Sequence, residues 1–178
     1  MNEQLHGANC WKWERDVLDS ERIEEVVLSE QDRPLWIKRR EELAVWAERE
    51  KKTLVPKRTR MFEGEEVDAE LYECLRLLNA AGVRTEFSCA GVSMLDEPED
   101  HSLYAYVTLH EGTQTRPFVD YALRRMGRRI LVVWEPQRRR YDLSSFYIRH
   151  NRSFCLLLEA CARDFAAGLP EQQPFITP

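Results

Sequence analysis

The sequence predicts an α+β domain, an antiparallel sheet of about four strands with helices against one face, in the order α-β-β-α-β-β-α. Three observations carry this. Apolar residues recur at helical spacing in three separated segments, beginning near Glu65, Thr115 and Asn151. Between them lie short runs that alternate or are apolar throughout. The links are short, which favours hairpin-like antiparallel neighbours over parallel crossovers. A chain of 178 residues, 43% apolar and 32% charged, has material for one core and a well-solvated exterior.

Residues 1–56 read as a helical N-terminal extension, 57–170 as the α+β core and 171–178 as a C-terminal tail. In the extension, Asp19-Ser20 starts a short helix carrying Ile23, Val26 and Val27, and Asp32 before Arg33-Pro34 starts a second. The second helix has only a narrow apolar stripe, Trp36, Leu43, Trp46 and Ala47, so it is expected to lie on the domain's side or on a partner. Leu54 to Glu63, with Pro56, Lys57, Arg58 and Arg60, reads as a connection.

The first core helix follows from Val67, Leu71, Cys74, Leu75 and Leu78, with Gly82 as its stop. The strand after it alternates, Val83, Thr85 and Phe87 inward against Arg84, Glu86 and Ser88, until Cys89-Ala90-Gly91 breaks it. Beyond the acidic loop Asp96 to Asp100, a second strand sets Leu103, Ala105, Val107 and Leu109 against Tyr104, Tyr106, Thr108 and His110. Thr115-Arg116-Pro117 opens a helix with Phe118, Tyr121 or Ala122 and Met126 inward and Gly127 at its end. Ile130 to Trp134 is apolar on both faces, as a central strand requires, and pairs through the basic turn Pro136 to Arg140 with Tyr141 to Ile148. Asn151 is placed to cap the last helix, whose Phe154, Leu157, Leu158, Cys161 and Phe165 face the core until Gly168 and Pro170.

Composition narrows the function classes. The first residues lack a basic and an apolar signal region, and the longest apolar run, Ile130 to Trp134, is too short for a membrane span, so a cytoplasmic protein without membrane attachment is expected. Five cysteines (Cys10, Cys74, Cys89, Cys155, Cys161) form no C-x-x-C pair, and His6, His101, His110 and His150 have no ligand spacing. Reduced thiols and no metal site are the expectation. Charge is asymmetric: 15 basic and 25 acidic residues up to Gly112, then 11 basic, all arginine, and five acidic between Thr113 and Gly168. Arg128, Arg129, Arg138, Arg139 and Arg140 are the candidates for contacting nucleic acid, because the guanidinium fork matches phosphate. A solvated face paired with the acidic half is the alternative.

The segment Thr85 to Ser93 departs from ordinary α+β grammar. A glycine after a strand permits a positive-φ turn whose amides converge on an anion, with Ser88 and Cys89 at its rim. A thiol there, beside His110 from the next strand, makes Ser88, Cys89 and His110 the catalytic candidates. If alternation continues, Cys89 is instead a small buried apolar residue. Thr85, Ser88, Cys89, Gly91, Tyr104, Tyr106 and His110 form the expected ligand-binding set, the tyrosines as surfaces for flat rings.

The run Gly64-Glu65-Glu66-Val67-Asp68, then Leu78-Asn79, Thr85, Ser88-Cys89-Ala90-Gly91 and a strand ending in His110 resembles the wybutosine-synthesis methyltransferase family, which acts on tRNA. It is similar also to small bacterial and phage proteins carrying a T-x-x-S-C-x-G motif. The resemblance covers Gly64 to His110. Val92 stands where that family has arginine, and Leu109 where it has serine. It implies a shared pocket around Ser88, Cys89, Gly91 and His110, RNA as ligand class, and S-adenosylmethionine as cofactor if the enzymatic analogy holds. The functional expectation is an RNA-associated protein of tRNA-modification type with a pocket at the S-C-x-G loop. The alternative is a non-catalytic protein-binding or regulatory module that uses the tryptophan-rich N-terminal helices.

Overall fold

The computed structural model describes residues 25–48, 57–92 and 102–168. Along the chain these form β1 (Val26–Val27), α1 (Arg33–Glu48), β2 (Thr59–Phe62), β3 (Glu65–Asp68), α2 (Ala69–Ala80), β4 (Thr85–Cys89), β5 (Tyr106–His110), α3 (Thr115–Met126), β6 (Ile130–Glu135), β7 (Arg140–Ser145) and α4 (Asn151–Ala166). The predicted α+β architecture is what forms. The sheet has five strands in the order β1-β6-β7-β5-β4, all antiparallel, and β2 and β3 make a separate two-stranded ribbon.

Alternation decides which face is dry. Ile130 and Val132 of β6, Tyr141 and Leu143 of β7, and Val107 and Leu109 of β5 share one face and are buried with Leu71, Leu78, Phe118, Ala122, Phe154 and Leu158 from α2, α3 and α4. The intervening residues, Leu131, Val133, Asp142, Ser144, Tyr106 and Thr108, line the opposite face. Burial of the first set, at about 1.5–3 kcal/mol per large side chain, fixes the register, since a one-residue slip would exchange the two faces.

Four expectations need correcting. Val26 and Val27 lie on no helix: they pair with Trp134 and Val133 as the fifth strand, and Leu28 N–H donates to Val132 O at 2.8 Å. β-branched residues beside an open strand edge find hydrogen-bond partners there that an isolated short helix lacks. Residues 59–68 are a hairpin rather than a connection. Its closing pair is Phe62 and Glu65, and both turn residues, Glu63 (φ 51°) and Gly64 (φ 91°), have positive φ. Val67 therefore belongs to β3, and α2 begins at Ala69.

Phe87, expected inward, is 52% exposed. A register shift between Thr85 and Ser88 adds a residue to β4 and reverses the alternation there. Asn151 begins α4 without capping it. Its side chain is buried instead, accepting from Ala105 N–H (2.9 Å) and donating to Val92 O and Leu103 O (2.9 Å each). It thereby clasps the chain on both sides of residues 93–101. The proposed helix start at Asp19-Ser20 and the cysteine at position 10 lie outside the described residues.

The helix α1 begins where Asp32 and Pro34 predicted, and an arginine joins Trp36 in fastening it. Arg39 is buried, donates to the Ser145 (3.1 Å) and Phe146 carbonyls, and stacks 3.6 Å above the Tyr104 ring. Trp36 adds an edge contact to Phe146 at 5.1 Å.

Candidate functional site

The S-C-A-G corner is built around a buried ion pair. Asp68, the last residue of β3, accepts from Lys57 Nζ at 3.0 Å and from Ala90 N–H at 2.6 Å, and both charged side chains are only 6% exposed. Lys57 Nζ also reaches Cys89 Sγ at 3.6 Å, and Gly91 N–H points at the same sulfur at 3.4 Å. Gly91 has φ +73° and packs so closely that a Cβ would fall against the Asn151 amide and 2.6 Å from the Ala105 nitrogen. Only glycine fits. Cys89 is 8% exposed, so the bend is filled by protein groups, not open to solvent.

His110 is not beside this corner. Cys89 faces Tyr106 across the ladder, whereas His110 N–H donates to Arg84 O at the other end of β4. Four strand positions, about 13 Å, separate them. The predicted set thus divides: Ser88, Cys89 and Gly91 lie at one end with Tyr106, and Thr85 and His110 at the other. Asn79, from the motif, bonds Glu63. Cys74, Cys155 and Cys161 are core thiols. Burial raises all three, Cys155 to about 12 and Cys161 to about 11, which leaves them unreactive near neutral pH. Among the described residues no group of three or more His, Cys, Asp or Glu is arranged to hold a metal ion. No described helix is long and apolar enough to cross a membrane.

The more open feature lies on the uncovered sheet face. Phe87, Ser102, Tyr104, Tyr106, Thr108, Arg140, Asp142 and Ser144 line a cleft of about 360 Å³. The sequence reading included its tyrosines and Arg140 but not Asp142, Thr108 or Phe87. Cross-strand register brings them together: Thr108 stands opposite Asp142, and Tyr106 opposite Ser144. The floor is polar. Thr108 Oγ1 donates to Asp142 Oδ1 at 2.6 Å, and Arg140 donates to Glu135 at 3.0 Å and Glu86 at 3.4 Å. Among the described residues, two buried polar atoms, Tyr104 Oη and Arg140 Nε, have no partner. Burial raises both tyrosine phenols above their ordinary value, so they remain neutral donors. No known protein family, curated protein or solved structure matches this chain.

The neighbouring carboxyls of Asp142 and Glu135 are pushed apart in their titration. Burial, then the hydrogen bond to Glu135, pushes Asp142 from 3.8 to about 6, while the bond from Asp142, helped by Arg140, holds Glu135 below its ordinary 4.5. From roughly pH 4 to 6 the folded protein therefore keeps a proton on Asp142 that the unfolded chain has released. Stability falls as pH rises through that window and levels off above it. The depressed Glu135 acts in the opposite sense and loses its contribution only in more acid solution. Thermal melting from pH 5 to 7.5 is expected to drop more steeply for the wild type than for Asp142→Asn, which should be the more stable of the two at pH 7.5. Equal slopes for the two proteins would refute the raised Asp142 carboxyl.

Proposed function

We propose that this protein binds single-stranded RNA and seats a base in the cleft of the open sheet face. The observation that carries this reading is the pair of unsatisfied donors, Tyr104 Oη and Arg140 Nε, in a cleft walled by Phe87, Tyr104 and Tyr106. A flat heterocycle carrying carbonyl oxygens stacks its face on Phe87 and Tyr106, the Tyr104 ring being covered by Arg39, and on entry turns the two buried donors toward its edge. Asp142, while protonated, is engaged with Glu135 and Thr108, and above about pH 6 it adds an acceptor for an exocyclic amine. The resemblance to the tRNA-acting family supports the same ligand class. Methyl transfer from S-adenosylmethionine remains part of that resemblance alone.

The test is fluorescence anisotropy of a labelled oligoribonucleotide. Tyr106→Ala is expected to weaken binding by about 1–3 kcal/mol, the usual loss of one stacked base. Tyr104→Phe, which deletes only the unsatisfied hydroxyl, should weaken it less while leaving the melting temperature unchanged or higher. Wild-type protein that binds no oligoribonucleotide, or a Tyr106→Ala variant that binds equally well, would overturn the reading.

The protein-binding alternative draws support from the outer surface of α1, where Ile37 and Leu43 are part-exposed and Val45 is 71% exposed. It requires a chain starting at Lys57 to stay folded. That chain would lack β1 and the Arg39 anchor, so its loss of stability would argue against a separable module.

A further inference from the structure

The arginines that the sequence groups as one basic half separate into two populations. At the β6–β7 turn, Arg138 pairs with Glu135 (3.2 Å), Arg139 with Glu111 (2.6 Å), and Arg140 with Glu135 and Glu86. Their field is largely cancelled. At the opposite end of β6, Arg124 and Arg125 close α3, and Arg128 and Arg129 follow in a single 3-10 turn. Gly127, at φ 54° and ψ −127°, makes the bend between them, a conformation reserved for glycine. These four arginines and Tyr147 line a cleft of about 420 Å³.

Among the described residues, two carboxylates reach them. Asp164 takes Arg125 at 3.3 Å and is shared with the Tyr121 hydroxyl, and Asp32 takes Arg128 at 3.0 Å in an exposed pair. Among the described residues, Arg124 and Arg129 meet no carboxylate. The helix dipole favours cations in the last turn, which accounts for Arg124 and Arg125. It fades beyond that turn, so it does not account for the second pair, whose juxtaposition with the first costs repulsion. The wall is fixed as well: the Tyr147 ring sits edge-on to Phe146 at 5.3 Å and against His150 at 5.7 Å.

We propose that this arginine cleft binds backbone phosphates of a nucleic acid strand. A phosphate supplies the negative charge that Arg124 and Arg129 lack and offers forked acceptors to guanidinium groups preassembled around it. Ser144, which lines the base cleft, and Tyr147 are three residues apart, at most about 11 Å of chain, so a short oligonucleotide reaches both sites. The identity of the polyanion rests on the RNA reading, whereas phosphate binding itself does not.

The double variant Arg124→Ala/Arg129→Ala removes the two unpaired cations and leaves both ion pairs intact, so its melting temperature should match the wild type. Binding of a labelled oligouridylate would be measured over a salt series, and of inorganic tripolyphosphate by calorimetry, with the full-length chain. The double variant should lower the slope of log K against log salt by about 1.4 units, two phosphates' worth for a single strand, and should abolish tripolyphosphate binding. Tyr106→Ala should weaken the oligonucleotide without changing that slope. Tripolyphosphate binding that depends on Arg124 and Arg129, without any oligonucleotide binding, would sustain the phosphate site and sink the RNA reading. Oligonucleotide binding with an unaltered slope would do the reverse.

Discussion

Asp68→Ala is expected to destabilise the protein by about 3–5 kcal/mol, a large share of the 5–15 kcal/mol available to an ordinary domain. The substitution strands the Lys57 ammonium, 6% exposed, and leaves the Ala90 N–H without its acceptor. Coulomb attraction within such a pair roughly offsets the cost of taking both charges out of water, so the loss reflects the partner left behind. The double replacement Lys57→Met/Asp68→Leu should therefore recover part of the stability and fall short of wild type, because the Ala90 amide stays unsatisfied at about 1–3 kcal/mol. Urea denaturation midpoints of the three proteins would decide it. A single variant within 1 kcal/mol of wild type would show that the pair contributes little.

Gly91→Ala should cost at least as much, and for a different reason. The added methyl meets backbone at Ala105 and the Asn151 amide, neither of which is the free end of a flexible chain, at a φ that L-residues seldom adopt. Relief requires Asn151 to leave its position, which breaks three buried hydrogen bonds. Asn151→Ala should then be damaging alone, and the Gly91→Ala/Asn151→Ala double variant should lose less than the sum of the singles, because the second change removes one of the two obstacles to the first and leaves the Ala105 backbone in place. Strict additivity in a double-mutant cycle would refute this coupling.

These two expectations recast the S-C-A-G segment. As a sequence it reads as a reactive corner. Folded, its Ala90 amide is committed to Asp68 and its thiol to Lys57, Gly91 packs against Asn151, and the segment joins the β2–β3 hairpin and α4 to the edge of the sheet. The polar groups without partners among the described residues, Tyr104 Oη and Arg140 Nε, belong to residues lining the cleft where Tyr106, Thr108 and Asp142 meet.

The amphipathic spacing of Leu71 to Leu78, Phe118 to Met126 and Phe154 to Cys161 was enough to place three helices and the dry face of the sheet. The alternation from Leu103 to His110 assigned Tyr104, Tyr106 and Thr108 to the other face. The hairpin at 59–68 was illegible because half of its strand residues are charged and its turn is Glu-Gly rather than Asn-Gly or Asp-Gly, so neither pattern nor turn chemistry signals it. Phe87 was misassigned because one inserted residue in a ladder leaves no mark on local periodicity.

Local pattern determined by itself the type and the dry side of α2, α3, α4 and the strands β5, β6 and β7, since both follow from the hydrophobic effect acting at a helical or strand period. Tertiary structure alone decided which distant groups meet: Lys57 with Asp68 and Cys89, Asn151 with both sides of residues 93–101, Glu135 with Asp142, and Arg124 with Arg129 around Tyr147. Such pairings depend on strand order, register and the turn at Gly127, which are fixed by the packing of the whole core, and no short stretch of sequence carries that information.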